Sequence, residues 1–266
     1  MPAAPALPSE PPDGGVLDLF RLDGRIALVT GASSGLGAGF AVALAEAGAD
    51  LVLVARRTER LAETAAHVEK LGRQCLAVPA DVSDPEQCTS AVETAVGRFE
   101  RVDVLVNNAG VSSVAPALRE RPEDFRRVLD VNLLGAYWMA QACAPVMPRG
   151  SSVVNVASVL GLVASVLPQA AYSSSKAGLI GLTRDLSQQW SGRRGIRVNA
   201  VAPGFVATEM VSEMPDETLA EFLRSSPLGR VATQRELDAA VLFLAAPASG
   251  YVTGATLAVD GGMSGH

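Results

Sequence analysis

The sequence has 266 residues, 48% of them hydrophobic and 19% charged, with a formal net charge of −6. This is the composition of a core-former, and the acidic balance lacks the basic footprint that phosphate backbones demand, so no nucleic-acid partner is expected. Three scattered cysteines exclude a disulfide framework, and with His67 and His266 the only histidines, no metal site is expected. Acid–base chemistry must therefore use another residue type.

Residues 1–20 hold five of the sixteen prolines within their first twelve positions. Proline removes a donor and fixes φ, so this stretch is expected to be a disordered tail. It lacks the basic start and apolar run of a secretory signal. No apolar stretch approaches the ~20 residues of a membrane span, so a soluble, cytoplasmic protein with no membrane partner is expected. From Arg21 onward short β-branched runs alternate with helical patterns. The expected strands are 25–30, 50–55, 74–79, 102–106, 152–157, 195–201 and 256–260. They are almost continuously apolar, as parallel strands covered on both faces must be. The expected helices lie near 35–48, 58–71, 84–99, 122–147, 171–193 and 233–246. Phe40, Ala43, Leu44 and Ala47 fall on one face of the first. The strand–helix repeat predicts an α/β fold, one doubly wound parallel sheet with helices on both faces, over residues 21–266.

The first expected strand runs into Thr30-Gly31-Ala32-Ser33-Ser34-Gly35-Leu36-Gly37. Glycines between a strand and a helix let backbone N–H groups approach a pyrophosphate at the helix N-terminus. The second strand ends Val54-Ala55-Arg56-Arg57, with no carboxylate placed for a ribose 2′-hydroxyl and two guanidinium forks suited to a 2′-phosphate. NADP(H) is therefore favoured over NAD(H). The competing reading is that both arginines are a solvated helix start, but cations are poorly placed at a helix N-terminus. Asn107-Asn108-Ala109-Gly110 follows the fourth strand, and Tyr172-Ser173-Ser174-Ser175-Lys176 places Tyr and Lys on one helix face. A tyrosine needs its pKa of ~10 brought towards 7 for proton transfer in a cell, and one ammonium at ~4 Å supplies about that shift.

Together with Ser158 and Pro203-Gly204-Phe205-Val206-Ala207-Thr208, these motifs resemble the classical short-chain dehydrogenase/reductase family, in its order, from about Asp23 to Met263. The resemblance implies a Rossmann-type sheet of order 3-2-1-4-5-6-7, usually in a homotetramer. It implies that Tyr172 exchanges a proton with the substrate oxygen, and that Lys176 lowers the tyrosine pKa and bonds the nicotinamide ribose. Ser158 would hold the substrate oxygen. Asn132 would interrupt its helix and hold a water that relays protons to Lys176. Asp81, beside Val82, would bind the adenine amino group, although Asp81 also reads as the lead-in to a helix capped by Ser83 or Asp84. Asn107 would brace the central strands, the 108–110 backbone would pass the cofactor ribose, and residues 203–208 would close over the nicotinamide and pyrophosphate. Ser158 and Tyr172 stand one residue further apart than the family's usual spacing, which places an extra residue in the loop 161–168 and makes Ser165 a rival to Ser158.

The substrate side is less specific. Val159, Leu160, Leu162, Val163, Leu167, Met210, Met214 and Phe222 are candidate walls, and 208–230 could form a mobile lid. The sequence resembles 3-oxoacyl-carrier-protein reductases and sugar or polyol dehydrogenases about equally. The expectation is an NADP(H)-dependent reductase of a small-molecule ketone. The alternatives are an NAD-linked polyol or hydroxysteroid dehydrogenase and a non-catalytic nucleotide sensor or scaffold.

Overall fold

The computed structural model describes residues 15–207 and 216–265, without the side chains of 216, 218, 221 and 222. Seven strands form one parallel sheet: β1 Ile26–Thr30, β2 Asp50–Ala55, β3 Cys75–Pro79, β4 Val104–Asn107, β5 Ser152–Val156, β6 Arg197–Pro203 and β7 Thr256–Val259. Their order is β3-β2-β1-β4-β5-β6-β7, as the resemblance implied. The helices are α1 Gly35–Glu46, α2 Thr58–Lys70, α3 Pro85–Phe99, α4 Pro122–Leu129, α5 Gly135–Cys143, α6 Ala170–Arg194, α7 Asp216–Arg224 and α8 Gln234–Ala245.

Strand periodicity divides the apolar residues between two cores. Ala27, Val29, Leu51, Leu53, Val104 and Val106 face α1 and α8, where Phe40, Leu44, Leu237 and Val241 meet them. Ile26, Leu28, Val52, Val54 and Leu105 face the other way, onto Cys88, Val92, Met139 and Cys143 of α3 and α5. Both faces being buried explains why the strands read as unbroken apolar runs. The order reverses between β1 and β4, and this switch point opens a crevice at the carboxyl ends of the strands. Thr30 closes its floor: the Thr30 hydroxyl accepts from the N–H groups of Asn108 and Ala109, each at 3.0 Å.

Two expectations need correction. The segment 1–20 is not featureless throughout. Val16–Phe20 form a short 3-10 helix, and the Phe20 ring packs 6.3 Å from that of Phe243. Packing of the half-buried Phe20 ring against α8 orders the last residues of a proline-rich stretch; residues 1–14 lie outside the described residues. The helix expected over 122–147 is broken into α4, a π-turn at Asp130–Leu134, α5 and a 3-10 turn at Ala144–Val146. Among the described residues, no helix is long and apolar enough to cross a membrane.

Candidate active site

A cavity of about 600 Å³ fills the crevice. Its wall includes Gly31, Ser33, Ser34, Gly35, Leu36, Arg56, Arg57, Asp81 and Val82 at one end. Asn108, Ala109, Gly110, Ser158, Tyr172, Lys176, Pro203, Gly204 and Val206 line the other. One continuous cleft thus joins the glycine loop to the Tyr–Lys pair. Gly37 and Asn132 stand behind the wall, and Thr208 lies outside the described residues.

The glycine end is built by close approach. Gly31 has φ +66°, and a Cβ there would lie 2.8 Å from Cα of Ala109. A Cβ on Gly37 would lie 2.4 Å from both Nδ2 of Asn108 and the Gly31 carbonyl oxygen. The Asn108 amide stitches the loop, donating to the carbonyls of Thr30 at 3.0 Å and Gly31 at 3.3 Å. Ser34, the N-cap of α1, makes no side-chain cap bond, so it leaves the amides of the first turn without that partner. Its hydroxyl instead accepts from Nη2 of Arg57 at 2.6 Å, and the Ser33 hydroxyl from the same nitrogen at 3.1 Å. Arg57 is itself the N-cap of α2. A guanidinium beside two helix N-termini is repelled by both dipoles, an arrangement that fits a bound anion between them. Arg56 is two-thirds exposed and sits 3.5 Å from the Asp81 carboxylate. Asp81 also accepts from the N–H and hydroxyl of Ser83, at 3.0 and 2.8 Å, and these bonds with Arg56 hold its pKa down against burial. Asp84, not Ser83, caps α3. These residues fit the phosphates and adenosine of a dinucleotide.

At the other end the Ser158 side chain accepts from the Leu160 N–H at 3.2 Å, starting the 3-10 turn Val159–Gly161. A Cβ on Gly161 would lie 2.8 Å from the carbonyl carbon of Lys176. Only glycine lets this turn rest on the α6 backbone, and the contact brings Ser158 to Tyr172. In the sequence Gly161 is marked only by its place three residues after Ser158. Lys176 is 4% exposed, and its Nζ donates to the Val156 carbonyl at 2.7 Å. Nζ stands 5.7 Å from the centroid of the Tyr172 ring. Burial pushes the Lys176 pKa down to about 8. Burial also raises the Tyr172 pKa, and the Ser158 hydroxyl pulls it partly back. In the protein alone, burial outweighs whatever lowers the Tyr172 pKa. The ammonium lies over the ring face, tethered to Val156, and desolvation dominates both groups.

Asn132 occupies the π-turn, where its carbonyl accepts from the Val111 N–H at 2.8 Å. Its amide donates to the Val111 carbonyl at 2.9 Å and to the Ser175 hydroxyl at 3.0 Å. The side chain therefore clasps the chain after Gly110 to α6. Asn107 braces β4 as expected, donating to Asn155 at 2.9 Å and to the Ala136 carbonyl at 3.0 Å.

Of the expected apolar walls, Val159, Leu160 and Leu167 line the cleft; Leu162 is exposed and Val163 packs on Val159 and Leu160. Met210, Met214 and the Phe222 side chain lie outside the described residues. Ser165 does not reach the cleft wall, which leaves the position to Ser158. Phe205, within the expected 203–208 segment, also lines the cleft, and Ser112 and Gln169 line it without having been anticipated; these two are irregular-backbone residues with no periodicity to mark them.

The chain matches, over residues 31–264, a family model described as enoyl-(acyl carrier protein) reductase. It is 38% identical over 246 residues to 3-oxoacyl-(acyl-carrier-protein) reductase FabG of Thermotoga maritima, covering 92% of this chain and 99% of that one. It is 43% identical over 253 residues to galactitol 2-dehydrogenase (L-tagatose-forming) of Cereibacter sphaeroides, covering 92% and 97%. A short-chain type dehydrogenase/reductase from Mycobacterium marinum superposes with a TM-score of 0.89 at 35% identity, covering 94% and 99%. A structure from Agrobacterium tumefaciens that holds bound NADP superposes with a TM-score of 0.85 at 35% identity, covering 93% and 99%. Sheet order, glycine loop, Tyr–Lys pair and these matches agree, and the chain belongs to the short-chain dehydrogenase/reductase family of oxidoreductases.

Proposed function

We propose that the protein is an NADP(H)-dependent reductase of ketones, working on a small-molecule carbonyl substrate in the cytoplasm as a homotetramer. The observation that carries this reading is the single cleft that joins Arg57, poised between two helix N-termini, to Ser158, Tyr172 and Lys176. When bound, NADPH supplies the hydride.

Ser33, Ser34 and Arg57, with Arg56 beside them, would hold the 2′-phosphate, and the first turn of α1 would hold the pyrophosphate. Asp81 with Val82 would take the adenine, the 108–110 backbone would pass the ribose, and the segment from Pro203 to Ala207 would cover the nicotinamide. Ser158 and Tyr172 both donate to the substrate oxygen. Burial keeps Tyr172 a phenol at neutral pH, the state a proton donor for reduction requires. With its pKa near 8, Lys176 is mostly charged at pH 7 and stabilises the tyrosinate left when the proton moves. Asn132 keeps the wall between Gly110 and α6 in place and holds the water that returns a proton to Lys176.

The test is a panel of ketones and 3-oxoacyl thioesters assayed with NADPH and with NADH by nicotinamide absorbance. Turnover of ketones with a marked NADPH preference is expected. Tight NADPH binding with no turnover of any ketone would support a sensor instead. A preference for NADH with polyols would support the dehydrogenase reading that the galactitol 2-dehydrogenase match favours.

A further inference from the structure

Gln169 is the N-cap of α6, three positions before Tyr172, yet its side chain makes no cap bond. Glutamine is not a preferred capping residue, so helix termination does not account for it. The side chain is half-buried and lines the cleft. Its Oε1 accepts from the Ser165 hydroxyl at 3.2 Å, and the Ser165 oxygen in turn accepts from the Leu167 N–H at 3.1 Å. With one lone pair of Ser165 engaged by Leu167, the hydroxyl hydrogen remains to donate, which fixes the carbonyl side of the Gln169 amide against Ser165. Nε2 has no hydrogen-bond partner among the described residues. The result is a donor whose orientation is set from behind.

We propose that Gln169 is a specificity-determining residue, its amide NH₂ recognising a second acceptor oxygen on the substrate, with Ser165 as its positioning residue. Residues at i and i+3 at a helix start lie about 5–6 Å apart at Cβ. A donor on Gln169 therefore reaches an oxygen one or two carbons from the carbonyl that Tyr172 and Ser158 hold. The substrate class is a ketone bearing such an oxygen, as a 3-oxo ester or thioester does, in preference to a simple alkyl ketone. The neighbouring walls, Val159, Leu160 and Leu167, are apolar and offer no competing partner. This inference rests on the ketone-reductase reading above.

The test compares ethyl acetoacetate with 2-heptanone, which match in chain length and differ in the ester oxygens. The readout is the ratio of the two kcat/KM values in wild type, Gln169→Leu, Ser165→Ala and Ser165→Thr. Loss of one hydrogen bond predicts a fall of about three- to tenfold in the preference for ethyl acetoacetate in Gln169→Leu. Ser165→Ala should fall partway, and Ser165→Thr, which keeps the hydroxyl, should restore the ratio. A structural disturbance lowers both substrates together and leaves the ratio unmoved; that result, or no change at all, overturns the proposal. Calorimetric binding of ethyl acetoacetate to the NADP-loaded wild type and Gln169→Leu reads the same contrast without turnover. Weaker binding to the variant with no turnover in either protein would overturn the reductase reading and keep the Gln169 assignment. Equal binding to both would overturn the Gln169 assignment.

Discussion

Burial of the Lys176 ammonium costs stability in a way that a single substitution exposes. Lys176 titrates near 8 in the fold against an ordinary 10.5, so between those values the unfolded chain binds more protons than the native one. Stability contributed through this group therefore rises with pH across that window and is lost as pH falls through about 8. Relative to Lys176→Met, wild type should gain a few degrees of melting temperature from the lower to the upper end of the window, and thermal melts at both ends check it. Parallel pH profiles of the two proteins would show that Lys176 is not desolvated. Arg57 donates to two serines at the mouth of the glycine loop, so Arg57→Ala should weaken NADPH by about 10- to 100-fold and NADH far less, by titration of each cofactor. Which arginine is better fixed was not legible in the sequence, because Arg56 and Arg57 are chemically identical neighbours. Only the fold shows that one bridges to Ser33 and Ser34 while the other reaches out to Asp81.

Elements with strict periodicity were legible, and elements held by tertiary contact were not. The strands could be placed to within a few residues because burial on both faces writes itself as an unbroken apolar run. The break in 122–147 left no mark in helical periodicity, since Asp130–Leu134 departs from it by a single π-turn. Helix α7 lies within 208–230, a segment that reads as a lid because it carries two methionines and Pro215 between expected elements. The turn after Ser158 depends on a contact that no local pattern encodes. Gly161→Val should push this turn off α6, because its Cβ would sit 2.8 Å from the Lys176 carbonyl carbon and 2.9 Å from the Ala177 nitrogen. Moving Ser158 away from Tyr172 should lower kcat by about tenfold or more while NADPH affinity changes little. Equal losses in kcat and NADPH affinity would show a general disruption of the cleft.

Across the whole molecule, a doubly wound parallel sheet followed from the strand–helix repeat, and its strand order from the family resemblance that the motifs carried, while the reach of the amino-terminal segment did not. Apolar Phe20 was legible as a residue, but its partner Phe243 lies on the far end of the chain. Deletion through Phe20 should lower the melting temperature by several degrees relative to deletion through residue 14; equal melting would show that the contact contributes nothing. Light scattering should return a tetramer mass, and a monomer at micromolar concentration would contradict the proposed assembly. The central claim is that one cleft serves one reaction, with the phosphate end holding the cofactor and Tyr172 delivering the proton. Its most direct measurement is the rate of NADPH-dependent ketone reduction by wild type and Tyr172→Phe, with NADPH affinity determined on both. The phenolic oxygen alone is removed, so affinity should persist while kcat falls by about 10²- to 10⁴-fold. Unaltered turnover in Tyr172→Phe would contradict the account.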